Sequence, residues 1–139
     1  MVCFGEALVK KVLFICVGNS ARSQMAEAFF NHLANGRAVA TSAGIKPSSE
    51  ISPLAVQVMR EVGIDISRQK PKMLTLEMLE SADRVITMGC GVEETCPATL
   101  VPTEDWRLDD PKGQPIEKVK EIRDEIKARV EALVKELGS

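Results

Sequence analysis

Residues 11–24 read KVLFICVGNSARSQ, and this stretch combines three local patterns. The run 12–15 is wholly apolar, as is typical of a buried strand in a parallel sheet. A loop of small residues follows, and a helical pattern begins at Ser23. A strand that turns through such a loop into a helix directs several backbone N–H groups at one point, which predicts an oxyanion-binding loop. Its residues are Val17, Gly18, Asn19, Ser20, Ala21, Arg22 and Ser23.

Cys16 and Arg22 supply the reactive groups beside this loop. A cysteine at the start of the loop feels the helix dipole and the aimed amides, which favour its thiolate form. Arg22 carries a planar fork of donors that suits a tetrahedral anion. The combination predicts nucleophilic attack on phosphate or a phosphate analogue. The alternative is an inert, buried cysteine at a strand end, which the neighbouring turn and helix make the weaker interpretation.

Composition indicates one ordinary globular domain. The chain has 139 residues, of which 45% are hydrophobic and 27% charged, and a net charge of −2. That length gives one core rather than two. The mixed charges carry no electrostatic signature for nucleic acid, and no apolar run approaches the roughly 20 residues that span a bilayer. We therefore expect neither a nucleic acid nor a membrane as a partner.

The N-terminal residues 1–10 precede the first strand and are interpreted as an extension of a single domain at 11–139. They lack the basic start and the cleavage site of a signal peptide, so a cytoplasmic location is expected. The four cysteines would then be mostly reduced, and any disulfide would be transient or catalytic. Cys3, in the extension, has no motif around it and is interpreted as a bystander thiol.

Helical and strand patterns alternate along the chain. Helices are expected at about 23–34, from Ser52 and Pro53 to 62, near 75–79 and at 116–137. Further strands are expected at 37–44 and 83–88, with a short fourth strand near 99–101. This alternation predicts a parallel sheet covered on both faces, with ligands bound beyond the carboxyl ends of its strands.

The last helix carries a continuous apolar stripe, which predicts packing against the core, with a partner interface as the alternative. The stripe consists of Ile116, Val119, Ile122, Ile126, Val130, Leu133 and Leu137.

The segment Cys16–Glu27, CVGNSARSQMAE, resembles the phosphate-binding loop of the low-molecular-weight tyrosine phosphatase superfamily. From Asn19 onward its form is similar to the arsenate reductase branch, and the resemblance extends from Lys11 to about Leu137. It implies an α/β fold of three layers, with a four-stranded parallel sheet and helices on both faces. It also implies reduction of arsenate to arsenite without a cofactor, with phosphate or sulfate as analogues of arsenate.

The resemblance to thioredoxin-coupled arsenate reductases also implies a relay of thiols. Cys16 would form an adduct with arsenate, Cys90 would attack Cys16 as arsenite leaves, and Cys96 would then attack Cys90. Thioredoxin or a similar dithiol would reduce the resulting disulfide. This chain has five residues between Cys90 and Cys96, one fewer than the family commonly has. A zinc site is the weaker interpretation of these cysteines, because no second pair of ligands is free.

Asp110 is the predicted general acid. The resemblance assigns this role to the aspartate directly before a proline, here Pro111. The alternative is that Asp109, Asp110 and Pro111 serve only as turn formers.

A potassium ion lies beside the loop in some members of the family, held by Asn, Glu, Ser and Asp. Asn19, Glu27 and Ser42 match the first three, but the fourth position falls on Lys72. We therefore expect no potassium site and no other metal, with the lysine ammonium in place of the cation.

Three other functions remain as alternatives. A low-molecular-weight protein tyrosine phosphatase usually carries tyrosines after the Asp-Pro pair, whereas this chain has no tyrosine. That absence leaves weak hydrolysis of small phosphate esters open. A phosphocysteine carrier of a sugar phosphotransferase system would lack an arginine such as Arg22. A non-enzymatic protein that binds arsenite through three thiols would show no catalytic turnover.

Overall fold

The computed structural model describes residues 10–89 and 103–138. Within this part of the chain, the strands are β1 (Lys10–Cys16), β2 (Ala38–Gly44), β3 (Arg84–Thr87) and β4 (Glu104–Asp105). The helices are α1 (Arg22–Ala34), α2 (Pro53–Glu61), α3 (Leu76–Ser81) and α4 (Ile116–Gly138). None of the helices in the described ranges has the length and apolar character needed to cross a membrane.

The four strands form one parallel sheet in the order β2-β1-β3-β4. This confirms the four-stranded parallel sheet that the resemblance implied. β1 is central, and its last residue, Cys16, pairs with Gly44 at the end of β2, while Ile15 pairs with Thr87 at the end of β3. The carboxyl ends of the strands therefore meet at one edge, where parallel α/β sheets bind their ligands.

β1 is buried on both faces, which explains its unbroken apolar run. Val12 and Phe14 join the main core with α1, α2 and α4, whereas Leu13 and Ile15 join a smaller cluster that includes α3. The sheet thus has helices on both faces, and the predicted three-layer architecture is confirmed.

Local signals placed the helices accurately. The Ser52 hydroxyl accepts a hydrogen bond from the Ala55 N–H at 3.3 Å, and that of Thr75 accepts one from the Met78 N–H at 3.1 Å. Both residues are therefore N-caps. On α4, the stripe is buried at its five middle positions, from Val119 to Leu133, which confirms packing against the core.

The fourth strand differs from the prediction. Residues 99–101 lie outside the described part of the chain, and β4 occupies Glu104–Asp105, a few residues after the predicted position. β4 has only two residues, both acidic and exposed, so it carries no hydrophobic pattern. Its existence depends on backbone pairing with β3, and Arg84 of β3 binds Glu104 at 2.9 Å.

Candidate active site

A cavity of about 530 Å³ lies at the edge where the strands end. The nucleophile candidate Cys16 lines it together with the oxyanion loop, the start of α2 and residues 110–113. The lining side chains outside the loop are Lys46, Ser48, Ser52, Pro53, Leu54, Asp110, Pro111 and Lys112. The cavity therefore brings together Cys16, Arg22 and Asp110, three of the residues for which the sequence analysis predicted catalytic roles.

The backbone of the loop is oriented by hydrogen bonds on its outer side. Every carbonyl oxygen from Cys16 to Ala21 accepts a bond from outside, at 2.8–3.3 Å. The donors are Ile45, Lys46, Ser48, Gln24, Ser52 and Met25. Because C=O and N–H point in opposite directions in a trans peptide unit, the N–H groups of the loop face inward. The loop thus forms a concave array of N–H donors, an arrangement that is suited to binding an anion.

Two groups hold the sulfur of Cys16. The N–H of Asn19 donates to Sγ at 3.1 Å, and the hydroxyl of Ser23 lies 2.8 Å from Sγ. The Ser23 oxygen also accepts a bond from Asn19 Nδ2 at 2.7 Å. The hydroxyl hydrogen of Ser23 is therefore free to point at the sulfur, so that the sulfur can accept a hydrogen bond from each group.

Asn19 organises the loop from behind. It is completely buried and has a left-handed backbone with φ of 51°. Its Nδ2 donates to Ser23 and, at 3.0 Å, to Ser42, whose hydroxyl donates to Glu27 at 2.6 Å. The ammonium of Lys72 lies 3.5 Å from the same Glu27 oxygen. These contacts place the Lys72 ammonium beside Asn19, Glu27 and Ser42, the three residues that match the potassium ligands described above.

Arg22 links the loop to the other side of the cavity. Its side chain is nearly buried, and Nη1 donates to the Met88 carbonyl at 2.6 Å and the Leu108 carbonyl at 3.0 Å. Gly89 is packed so closely that an added Cβ would lie 2.9 Å from the Leu108 oxygen and 3.2 Å from Arg22 Nη1. Nη1 is held by two carbonyls, and the other donors of the fork bind no residue in the described part of the chain, so they can bind an anion.

The two adjacent aspartates have different surroundings. Asp109 forms an ion pair with Lys118 at 2.8 Å, and this contact lowers the pKa of Asp109 below its ordinary value. Asp110 instead lines the cavity, where its Oδ1 accepts a bond from the Lys112 N–H at 3.0 Å. Of the two carboxyl groups, only Asp110 is on the cavity wall among the described residues.

Two of the predicted site residues lie outside the described part of the chain, and other residues of the site were not predicted from the sequence. Cys90 and Cys96, the predicted relay, lie outside the described residues. Gln24, which binds Asn19, and Gln69, which binds Gln24, were not predicted. The sequence contained one signal that could have indicated this role: Gln24 is a polar residue directly before Met25, on the buried face of α1.

Comparison with known proteins agrees with this geometry. The family model of the low molecular weight phosphotyrosine protein phosphatase matches residues 11–139. The glutaredoxin arsenate reductase of a Synechocystis species is 42% identical over 134 residues, which cover 94% of this chain and all of that protein. The chain belongs to the low molecular weight phosphotyrosine protein phosphatase family.

Two solved structures bear on the branch within the family. An arsenate reductase in its phosphate-binding state is 41% identical, with a TM-score of 0.81, over 93% of this chain and 99% of that one. A thioredoxin-dependent arsenate reductase from Corynebacterium glutamicum is 39% identical, with a TM-score of 0.79, over 98% of this chain and 67% of that one.

Proposed function

We propose that this protein is an arsenate reductase that converts arsenate to arsenite through a thiol–arsenate adduct. The observation that carries the proposal is that Cys16, Arg22 and Asp110 line one cavity, with the sulfur held by Ser23 and Asn19. The arsenate reductases at 39–42% identity support this substrate over a phosphate ester.

In the first step, the inward N–H groups of the loop and the free donors of Arg22 bind the oxygens of arsenate. The Cys16 thiolate attacks arsenic and forms a sulfur–arsenic bond. Asp110 gives its proton to the departing oxygen, which leaves as water. Asp109 is unsuited to this role because its pairing with Lys118 favours the ionised carboxylate.

The second step needs two electrons, which two thiols supply when they become a disulfide. Cys90 attacks Cys16 Sγ, the electron pair of the sulfur–arsenic bond goes to arsenic, and arsenite leaves. Cys96 then attacks Cys90, which frees the Cys16 thiolate and leaves a Cys90–Cys96 disulfide. Support comes from Gly89, the residue before Cys90 in the sequence, which packs against the Arg22 side chain.

An external dithiol completes the cycle by reducing the disulfide. We propose thioredoxin or a similar protein, since one similar structure is a thioredoxin-dependent enzyme. The name of the Synechocystis relative points to glutaredoxin as the other reductant to test.

The test is to incubate the reduced protein with arsenate and no added reductant. We expect at most one arsenite per chain, because each chain carries one relay, and a Cys90–Cys96 disulfide in a mass-spectrometric map. Cys90→Ser should abolish arsenite release, and Cys3→Ser is the matched control that should leave it unchanged. Full arsenite release by the Cys90→Ser variant would contradict the relay.

The same experiment separates reduction from phosphatase activity, the function in the family's name. No aromatic side chain is among the described residues that line the cavity, so these residues offer no aromatic platform for a phosphotyrosine ring. Intact thiols after incubation with arsenate, together with rapid hydrolysis of a phosphate ester, would favour the phosphatase function.

A further inference from the structure

We infer that Gln69 is a positioning residue for the oxyanion loop, acting through Gln24 and Asn19. Gln69 lies in the connector between α2 and α3, for which the sequence indicated no regular structure. Its Nε2 lies 2.5 Å from Gln24 Oε1 and 3.4 Å from the Gln24 carbonyl oxygen. It therefore joins the connector to the first turn of α1, although the two residues are 45 positions apart.

The groups around Gln24 determine how its amide is oriented. Gln24 is completely buried, and its Nε2 faces the two oxygens of Asn19, at 3.0 and 2.9 Å, and the Lys70 carbonyl oxygen at 2.9 Å. Its Oε1 faces the amide nitrogen of Gln69. A flipped amide would set an oxygen against three acceptors, so the observed orientation is the one in which every group has a partner. Gln69 provides the donor that this orientation requires.

Asn19 connects this arrangement to the sulfur. Its left-handed backbone is uncommon for residues other than glycine, although asparagine adopts it more readily than most. Gln24 binds both oxygens of Asn19, and the Lys72 N–H of the same connector donates to Asn19 Oδ1 at 2.8 Å. On the other side, the Asn19 N–H donates to Cys16 Sγ. Loosening the restraint on the oxygens therefore loosens the contact with the sulfur.

The position of Gln69 makes this effect measurable apart from stability. Gln69 is only half-buried, and it is not part of either hydrophobic cluster. Loss of its amide leaves the buried Gln24 oxygen without this donor, so the consequence falls on the loop rather than on the core. The inference rests on the proposed function only in taking Cys16 as the nucleophile.

The experiment measures alkylation of Cys16 by iodoacetamide, mapped by mass spectrometry, and its protection by inorganic phosphate. Gln69→Leu removes the donor at similar size, Gln69→Lys restores a donor, and Gln57→Leu makes the same change at an exposed position of α2. For Gln69→Leu, we expect alkylation about fivefold slower and about fivefold more phosphate for half-protection. Gln69→Lys should return both values to within about twofold of wild type, and Gln57→Leu should match wild type.

The inference would be overturned by wild-type alkylation and protection in Gln69→Leu, by equal losses in Gln57→Leu, or by no recovery in Gln69→Lys. A lower melting temperature of Gln69→Leu with unchanged phosphate protection would also overturn it, because it would show a purely structural role. Alkylation requires no arsenate. A wild-type protein that releases no arsenite would therefore count against the proposed function and not against the role of Gln69.

Discussion

Replacing Ser23 with alanine removes the hydroxyl that lies 2.8 Å from Cys16 Sγ. Ser23 is completely buried, so water does not replace the lost contact readily. A hydrogen bond to a charged group contributes about 1.5–3 kcal/mol, so its loss destabilises the anionic sulfur by a factor of about 10 to 160. The remaining thiolate is more nucleophilic, and this offsets roughly half of the loss on a logarithmic scale. We therefore expect alkylation of Cys16 to slow by about three- to tenfold at about pH 6.

The assay is the rate of iodoacetamide alkylation at the Cys16 peptide, because the chain has three other cysteines. The matched control is Ser42→Ala, which removes another buried hydroxyl bound to Asn19 but not to the sulfur. Asn19 keeps its bonds to Ser23, Gln24 and the Lys72 N–H in that variant, so its rate should fall by clearly less than that of Ser23→Ala.

Two results would refute the reasoning. If Ser23→Ala alkylates as fast as wild type, the hydroxyl does not stabilise the thiolate. If Ser42→Ala slows the reaction as much as Ser23→Ala, the effect comes from general disturbance of the loop rather than from the contact with sulfur.

Three further predictions concern the acid, its neighbour and the core. Asp110→Asn should slow single-turnover formation of the arsenate adduct by about 100-fold or more, and an unchanged rate would exclude Asp110 as the acid. Lys118→Met should raise the pKa of Asp109 toward its ordinary value. A lowered carboxyl pKa stabilises the fold above the unfolded pKa, and this is lost as the pH falls through the folded value. The variant should therefore melt below wild type at about pH 7 but together with it at about pH 2. Ile126→Ala, at a fully buried position of α4, should lower the free energy of unfolding by about 2–5 kcal/mol in urea titrations, and a loss under about 1 kcal/mol would contradict the packing described.

The sequence predicted those parts of the molecule that depend on neighbours in the chain. Examples are the apolar run before Cys16, the N-caps Ser52 and Thr75, and the stripe of α4. The run and the caps involve residues only a few positions apart, and the stripe repeats with a helical period. The motif from Cys16 to Arg22 is local for the same reason. Its strand, loop and helix are consecutive, so the pattern is complete in one short stretch.

Only the tertiary structure decided the features in which distant segments meet. β4 has no hydrophobic pattern of its own and exists through its pairing with β3. Gln69 reaches Gln24 across 45 positions, and Arg22 reaches the Leu108 carbonyl across 86. Such contacts leave no periodicity in the sequence, because each depends on one donor and one acceptor that the fold brings together. The sequence by itself thus determined which residues form the anion loop, and the packing of distant segments around that loop determined how its groups are oriented.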